Sequence, residues 1–287
     1  TGLTASTTYY YKVSGINTLG TGVASTAVQT ATYGVPDAID DLSLTVPSTT
    51  GINLSWTEPV LNGYALVEYE IFRSEDGTNW TSIATQTAIT YADTGLNIND
   101  LYYYKVTVEN TYGTSADSNI ESTPTLPTPT AASSLTVVSN TEITVQWNQP
   151  TGDQQSGYKI ERSTDGTNWS VHVADTGNTN TTYSDTGLTA NTTYHYRISV
   201  INAAGTSTPS PASSETTFGV PESPTGLTAT SLVGAEIKLD WVAPTDNNGS
   251  AVSGYMIERS TDNVTFSVLV ADTASTAVTY TDSGLTT

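Results

Sequence analysis

The two histidines are the residues best suited to acid–base chemistry near neutral pH, and the 287-residue chain contains only His172 and His195. His195 stands between Tyr194 and Tyr196 in an alternating run, so its side chain is expected to face solvent. His172 is expected to be exposed as well. Serine and aspartate are abundant, but the sequence has no nucleophile elbow, no glycine-rich phosphate loop and no His/Cys metal spacing. The sequence therefore predicts no catalytic residues, no bound cofactor and no enzymatic activity.

Acidic and amide clusters are the other candidates for chemistry. Asp37, Asp40 and Asp41 lie close together, and Asp246, Asn247 and Asn248 form a second group. Calcium prefers such oxygen ligands, but no calcium-loop motif is present. Because 28 acidic residues face only 8 basic ones, clusters of this kind are common in the chain. We interpret them as solvated loop carboxylates, with calcium as the alternative.

The composition excludes several classes of partner. A net charge of −20 argues against nucleic acid and anionic membranes, and no apolar run is long enough to span a bilayer within this segment. The absence of cysteine excludes disulfides and thiolate metal sites. The 17 tyrosines and 5 tryptophans recur at regular spacing, which is typical of a packed β core and not of disorder. We expect a folded, extracellular or cell-surface protein.

Regular motifs place these aromatic residues on strands. Trp56, Trp147 and Trp241 each end an alternating run ("INLSW", "ITVQW", "IKLDW"), which predicts a strand with one buried face. A "Y-x-I" unit follows each tryptophan, and its "DG" dipeptides at 76–77 and 165–166 are typical of tight hairpin turns. An "L-x5-Y" motif and an "N-x-x-G" motif come next, and the former ends at Tyr9, Tyr102 and Tyr194.

These motifs together resemble the fibronectin type III domain, in four successive copies. The resemblance implies an all-β fold, a linear array of seven-stranded immunoglobulin-like β-sandwiches. It also implies that Tyr9, Tyr102 and Tyr194 are tyrosine-corner residues, each bonded back to the corner between strands E and F. The "STDGTNW" form is similar to that of tandem copies in microbial surface and secreted proteins.

The register of the repeats predicts four segments. Residues 1–32 hold strands F and G of a first domain, 33–123 and 124–217 are whole domains, and 218–287 hold strands A to E of a fourth. The two partial domains are complementary. We therefore expect either a window of a longer array or chains that associate head to tail by strand addition.

The three junctions, or joints, lie at residues 32–38, 123–130 and 217–223. They are short and contain proline, which favours stiff connections. Tyr33 and Pro36 at the first junction match Phe218 and Pro221 at the third, whereas the middle junction lacks this pattern. We predict an aromatic wedge between domains at the two outer joints and a different bend at the middle joint.

Two further groups of side chains recur in the repeats. The strand-C arginines (Arg73, Arg162, Arg259) are predicted to pair with the carboxylates of the "Y-x-D" motifs (Asp93, Asp185, Asp282). Such pairs, if exposed, would contribute little stability. Among the sequons, the predicted N-glycosylation sites are Asn79, Asn168, Asn180 and Asn191, and the first two follow equivalent turns.

The sequence as a whole predicts a structural subunit or segment of an extracellular filament or stalk. The first alternative is an adhesin for surface glycans or proteins, which would need a non-repetitive aromatic or charged patch. The second alternative is a spacer in a secreted polysaccharide-degrading enzyme, whose catalytic domain would lie elsewhere. The sequence identifies no glycan or protein ligand.

Overall fold

A computed structural model describes residues 2–130 and 132–285 of the chain. Residues 1, 131, 286 and 287, which include the outer limits of the first and last predicted segments, lie outside the described residues. The described residues form strands and loops in four successive units, with no helix among them. The predicted all-β class is confirmed.

The first unit contributes two pairs of antiparallel strands, with β1 paired to β4 and β2 to β3. The strands are β1 (Thr8–Tyr11), β2 (Ile16–Asn17), β3 (Gly20–Thr21) and β4 (Val28–Ala31).

The second unit is a sandwich of two antiparallel sheets. Its strands are β5 (Ser43–Ser48), β6 (Gly51–Ser55), β7 (Leu66–Ser74), β8 (Thr81–Gln86), β9 (Thr90–Thr94), β10 (Leu101–Asn110), β11 (Gly113–Thr114) and β12 (Glu121–Pro124). One sheet has the order β5-β6-β9, and the other has the order β11-β10-β7-β8, with β12 also paired to β10. Strands A, B, C, C′, E and F of the predicted sandwich are β5 to β10, in chain order. Because β11 and β12 both pair with β10, they form one interrupted strand G, and the predicted seven-stranded sandwich is confirmed.

The third unit repeats this topology, with sheets β13-β14-β17 and β16-β15-β18-β19, and β20 paired to β18. Its strands are β13 (Ala132–Ser139), β14 (Glu142–Trp147), β15 (Gly157–Ser163), β16 (Ser170–Val173), β17 (Thr182–Thr186), β18 (Thr193–Asn202), β19 (Gly205–Thr206) and β20 (Ser213–Thr216).

The fourth unit has sheets β21-β22-β25 and β23-β24. Its strands are β21 (Thr225–Leu232), β22 (Glu236–Val242), β23 (Ile257–Arg259), β24 (Ser267–Val270) and β25 (Thr279–Asp282).

The core of each sandwich is built from the alternating positions that the sequence predicts. Ile52, Leu54 and Trp56 are buried, whereas Asn53 between them is exposed. The rings of Trp56 and Tyr69, from facing sheets, pack edge to face with their centroids 5.3 Å apart. Burying a side chain such as Leu54 stabilises the fold by about 2 kcal/mol, so strands with this pattern must face each other.

The connection between strands C and C′ differs from the predicted tight turn. It spans residues 75–80 in the second unit, and only Gly77 of the "DG" pair has a positive φ, of 71°. The Asp76 carboxylate instead closes the loop by accepting hydrogen bonds from the main-chain N–H groups of Thr78 (2.8 Å) and Asn79 (2.7 Å). These donors, with the Asn79 amide and Ser74 hydroxyl, hold the pKa of Asp76 well below its usual range.

Candidate functional sites at the joints between units

Each joint begins with a threonine that fixes where the chain leaves a sandwich. The hydroxyl group of Thr125 donates to the carbonyl oxygen of Asn97 at 2.7 Å, and that of Thr217 donates to Thr189 O at 2.6 Å. Both acceptors lie in the loop between strands E and F, so the end of strand G is tied to this corner.

The outer joints are held by main-chain bonds from both sides. At the third joint, the Asn191 N–H donates to Phe218 O at 3.2 Å, and the Gly219 N–H donates to Asn248 O at 2.9 Å. Asn191 belongs to the E–F corner of the third unit and Asn248 to the B–C loop of the fourth. The first joint has the matching bond from the Gly34 N–H to Asn62 O, at 3.2 Å. The joint peptide therefore connects two neighbouring units directly.

Side-chain amides add to these bonds. Asn62 Nδ2 donates to Val35 O at 2.8 Å and to Asp37 Oδ1 at 2.9 Å. Asn248 Nδ2 donates to Val220 O at 2.6 Å. Each asparagine side chain therefore bonds to the valine that precedes the proline of its joint.

Close packing at the outer joints requires glycine. A Cβ atom on Gly219 would lie 2.9 Å from the Cβ atom of Asn191 and 3.0 Å from that of Asn248. A side chain at Gly219 would thus push the E–F corner of one sandwich away from the B–C loop of the next.

The predicted aromatic wedge is wrong for Tyr33, whose side chain is 58% exposed. Its ring lies over Gly63, 4.9 Å from the ring of Tyr64, and Tyr64 in turn lies 5.8 Å from Tyr112. The aromatic ring covers the joint from outside because a Cβ atom on Gly34, inside this joint, would collide with the side chain of Ser6 of the first unit. Phe218 is half-buried against Gly249. Of the prolines predicted at the two outer joints, Pro36 is buried and Pro221 is exposed.

The middle joint uses a different set of contacts. Asn202 Nδ2, at the end of strand β18, donates to Asn99 Oδ1 at 2.9 Å and to Thr125 O at 2.8 Å. Asn99 Nδ2 donates in turn to Thr151 O at 3.1 Å and to Gln155 Oε1 at 3.2 Å. Asn99 and Asn202 are both buried, and the two bonds that Asn202 donates are shielded from water.

The asparagine of the "N-x-x-G" motif therefore has two roles. Asn202 Oδ1 accepts the N–H groups of Ala204 (2.9 Å) and Gly205 (3.2 Å), which shapes the F–G turn, while its Nδ2 holds the joint. Asn110 does the same in the second unit, where Nδ2 donates to Gly34 O and Leu61 O, both at 2.9 Å. The motif was visible in the sequence, but its bonds to a neighbouring unit were not predicted.

The predicted arginine–aspartate pairs are confirmed. The shortest N–O distances are 3.0 Å for Arg73–Asp93, 2.8 Å for Arg162–Asp185 and 3.0 Å for Arg259–Asp282. The aspartates are buried, so the pairs are not the exposed contacts considered from the sequence.

In the second and third units, a tyrosine that was not predicted from the sequence also bonds to the buried aspartate, so that each pair becomes a cluster of three side chains. The hydroxyl group of Tyr104 donates to Asp93 Oδ2 at 2.9 Å, and that of Tyr196 donates to Asp185 Oδ2 at 2.7 Å. Burial and the adjacent carboxylate raise the pKa of both tyrosines. Each cluster joins an aspartate of one sheet to an arginine and a tyrosine of the other, and thereby ties the sandwich together.

The predicted exposure of His172 is wrong. Its Nε2 atom lies 3.1 Å from Asp185 Oδ1 and 3.1 Å from the hydroxyl oxygen of Tyr183, and its side chain is 23% exposed. The histidine lies at the open edge between the two sheets, where it can reach a buried carboxylate of the other sheet. His195 is half-exposed and covers Gly166.

The three tyrosine-corner residues bond to the loop before their strand. Each hydroxyl oxygen accepts a main-chain N–H group, from Thr4 to Tyr9 at 2.8 Å, from Asn97 to Tyr102 at 3.1 Å and from Thr189 to Tyr194 at 3.0 Å. The same loops contact the joints. The corner thus holds strand F and the joint in a fixed relation.

The four asparagines predicted as glycosylation sites are exposed, but the bonds of their amide groups differ. Asn79 Nδ2 donates to Asp76 Oδ2, and Asn168 Nδ2 donates to Asp165 Oδ2, both at 2.6 Å. Asn191 has a positive φ of 48° and packs against Gly219 at the third joint. Asn180 lies in an exposed loop, where its main-chain N–H donates to Asn178 Oδ1 at 3.0 Å.

The acidic clusters serve local loop structure. Asp41 accepts the N–H group and the hydroxyl group of Thr57, at 3.1 and 2.7 Å, and Asp246 accepts the N–H group of Asn248 at 2.7 Å. Within residues 2–130 and 132–285, no three acidic or histidine side chains converge in a way that could hold a metal ion. The same described residues include no helix long and apolar enough to cross a membrane.

Comparisons with known proteins find a family model, related sequences and a solved structure that resemble this chain. Residues 127–216 match the family model of the fibronectin type III domain. Exoglucanase B from Cellulomonas fimi is 30% identical over 271 residues, which cover 88% of this chain and 23% of that protein. Neogenin from Rattus norvegicus is 27% identical over 280 residues, which cover 89% of this chain and 20% of that protein. A solved two-domain segment of chicken tenascin is 16% identical, covers 64% of this chain and all of that segment, and has a TM-score of 0.40. The chain spans about a fifth of the length of these two curated relatives.

Proposed function

Because the chain is built of tandem fibronectin type III domains, we propose that it is a stiff structural segment of an extracellular or cell-surface filament or stalk. The observation that carries the proposal is the buried bond between Asn99 and Asn202, which joins the second domain to the third. A flexible tether would leave the polar groups of its joints to water. Here they are paired with groups of both neighbouring domains.

The number of bonds at each joint supports limited bending. The middle joint has the Asn202 bonds to Asn99 and Thr125 and the Asn99 bonds to Thr151 and Gln155. A hydrogen bond of this kind contributes about 1 kcal/mol, so bending that breaks several of them is unfavourable by a few kcal/mol. The net charge of −20 would keep neighbouring filaments apart.

Head-to-tail association belongs to the same proposal. Strand β23 pairs with β24, whereas the equivalent strands β7 and β15 also pair with a strand F. Asp282 has its arginine, at 3.0 Å, but among the described residues no tyrosine hydroxyl bonds to it. Strand β1, with Tyr9 and Tyr11, has the sequence pattern of a strand F that could pair with β23. Further residues of the same polypeptide or β1 of a second copy would supply it.

A spacer in a secreted polysaccharide-degrading enzyme is the second candidate. The similarity to Exoglucanase B favours it, because it covers 88% of this chain but only 23% of that protein. The stiff joints would serve a spacer equally well. The adhesin alternative would use the row of Tyr33, Tyr64 and Tyr112, in which Tyr33 and Tyr112 are exposed and Tyr64 is half-buried between them. This row has no aromatic counterpart at the middle joint.

Spin-label distance measurements test the stiffness directly. The chain has no cysteine, so Thr85→Cys and Val171→Cys give one label in each of the two central domains. We expect a narrow distance distribution that broadens in Asn99→Gly, because glycine retains the positive φ at this position but removes the side-chain bonds. Asn191→Gly makes the same change at the third joint and should leave this distribution narrow. A broad distribution in the unsubstituted protein would contradict the proposal.

Electron microscopy of the native material tests the assembly. Long filaments with a complete sandwich between successive units would support head-to-tail association. Short rods of uniform length would contradict it.

A further inference from the structure

The only two Asn-Gly dipeptides of the sequence, Asn62-Gly63 and Asn248-Gly249, both lie in a B–C loop that contacts an outer joint. Glycine has no Cβ atom to hinder its main-chain nitrogen, so this nitrogen can approach the side-chain carbonyl carbon of the preceding asparagine. All four residues have a positive φ, and both glycines are exposed. Water therefore reaches the two dipeptides.

We propose that Asn62 and Asn248 are deamidation sites, and that their modification releases the first and third joints but not the middle one. The glycine nitrogen attacks Cγ of the asparagine and forms a five-membered succinimide. The Cγ–Nδ2 bond breaks, and Nδ2 leaves as ammonia with the proton that the glycine N–H group has lost. Water then opens the ring to aspartate or isoaspartate. One water molecule is consumed, and no atom is oxidised or reduced.

The product cannot make the bonds of the original joint. Asn62 Nδ2 donates to Val35 O and Asp37 Oδ1, at 2.8 and 2.9 Å, and a carboxylate in its place would face two oxygen acceptors. One of these acceptors is itself an acid, so like charges would meet. At the third joint the lost donor is the one that reaches Val220 O at 2.6 Å.

The closed joint protects its own asparagine. The Nδ2 atom that must leave is hydrogen-bonded to the joint while the joint is closed. Deamidation therefore proceeds when these bonds are broken, and its product then prevents them from forming again. The Gly249 N–H also donates to Asn247 Oδ1 at 3.1 Å, whereas no side-chain acceptor for the Gly63 N–H is found among the described residues. The nucleophile is therefore less restrained at the first joint, and Asn62 should react faster than Asn248.

The middle joint has no equivalent site. Thr151 precedes Gly152 at the matching position, and a threonine side chain has no amide to lose. Asn99, which holds this joint, is followed by Asp100 and not by glycine. The inference relies on the proposed stiff stalk only for its mechanical consequence, and the chemistry can be tested separately.

Peptide mapping by mass spectrometry of the full chain, aged in warm and mildly alkaline buffer, tests the chemistry. We expect deamidation at Asn62 and Asn248 at least about tenfold faster than at Asn99, and faster still for Asn62 in urea, where no joint protects it. Equal rates at Asn62 and Asn99 would overturn the proposal.

Spin labels across the first joint, at Gln29→Cys and Thr85→Cys, test the consequence. Asn62→Asp mimics the product and should broaden the distance distribution. Asn97→Asp makes the same charge change in an exposed loop near the middle joint and should not. An unchanged distribution in Asn62→Asp would overturn the claim of release. Asn99→Gly would still report on the stiffness of the middle joint, so the two proposals can fail separately.

Discussion

The side-chain amide of Asn202 donates to the side-chain oxygen of Asn99 at 2.9 Å, and this bond joins the third domain to the second. Asn202 also shapes its own F–G turn through Oδ1. A residue that stabilises a turn inside one domain thus also sets the position of the domain before it.

Asn202→Asp should loosen the middle joint without disturbing the F–G turn. The substitution keeps an oxygen for the turn but replaces the donor with a carboxylate that faces Asn99 Oδ1 and Thr125 O. We expect more independent tumbling of the second and third domains in NMR relaxation measurements. Asn110→Asp makes the same change at the first joint and is the matched control. If either variant affected both joints equally, the assignment of each asparagine to one joint would be wrong.

Asp93→Asn should destabilise the second domain far more than Asp117→Asn. Asp93 is 5% exposed and bonds to both Arg73 and Tyr104, so its loss breaks a buried pair, at a cost of about 3 kcal/mol. The Asp117 side chain is 52% exposed and contacts Lys105 at 2.8 Å, so its loss should cost about 0.5 kcal/mol. Chemical unfolding of the two variants measures the difference. Equal losses would contradict a structural role for the buried cluster.

The second and third domains should lose stability at alkaline pH. Burial and the nearby aspartates raise the pKa values of Tyr104 and Tyr196 above that of an unfolded tyrosine. The stability that these tyrosines contribute is therefore fully present below about pH 10 and declines as the pH rises toward their folded-state pKa values. Unfolding free energies measured across this range should fall less steeply in Tyr104→Phe. The exposed Tyr10→Phe variant should follow the unsubstituted protein.

Glycosylation, if the chain meets the enzyme, should be highest at Asn180. The amide nitrogens of Asn79 and Asn168 are bonded to aspartates at 2.6 Å, and the glycan must attach to this same atom. Asn191 packs against the third joint. Expression in a glycosylating host, followed by glycopeptide mapping, would measure the occupancy of each site. Higher occupancy at Asn79 than at Asn180 would show that the loop bond offers no protection.

The arrangement inside each domain could be predicted because it depends on short-range pattern. Alternation placed Ile52, Leu54 and Trp56 in the core, and the recurrence of arginine and aspartate at fixed positions predicted pairs such as Arg73–Asp93. The burial of these pairs could not be predicted, since it depends on how the open edges of two sheets close. His172 was misplaced for the same reason, because its partner Asp185 belongs to the other sheet.

The joints were the least predictable part. Their prolines and glycines were visible, but the contacts depend on the distance between two domains. Tyr33 looked like a wedge from its type alone, whereas the space available admits only the main chain of Gly34, which is buried. The bond from Asn202 to Asn99 joins residues 103 positions apart, and no local pattern indicates it.

The course of the chain through the second domain has a mechanical consequence. The chain enters beside the B–C and F–G loops, where Asn62 and Asn110 bond to the first joint, and it leaves beside the E–F corner at Thr125. Strands β5 and β12, at the two ends of this path, run antiparallel to β6 and β10. Tension along the polypeptide would therefore act along the axes of these strands. The hydrogen bonds between β5 and β6, and between β12 and β10, would then be loaded in shear all at once and would not break one at a time.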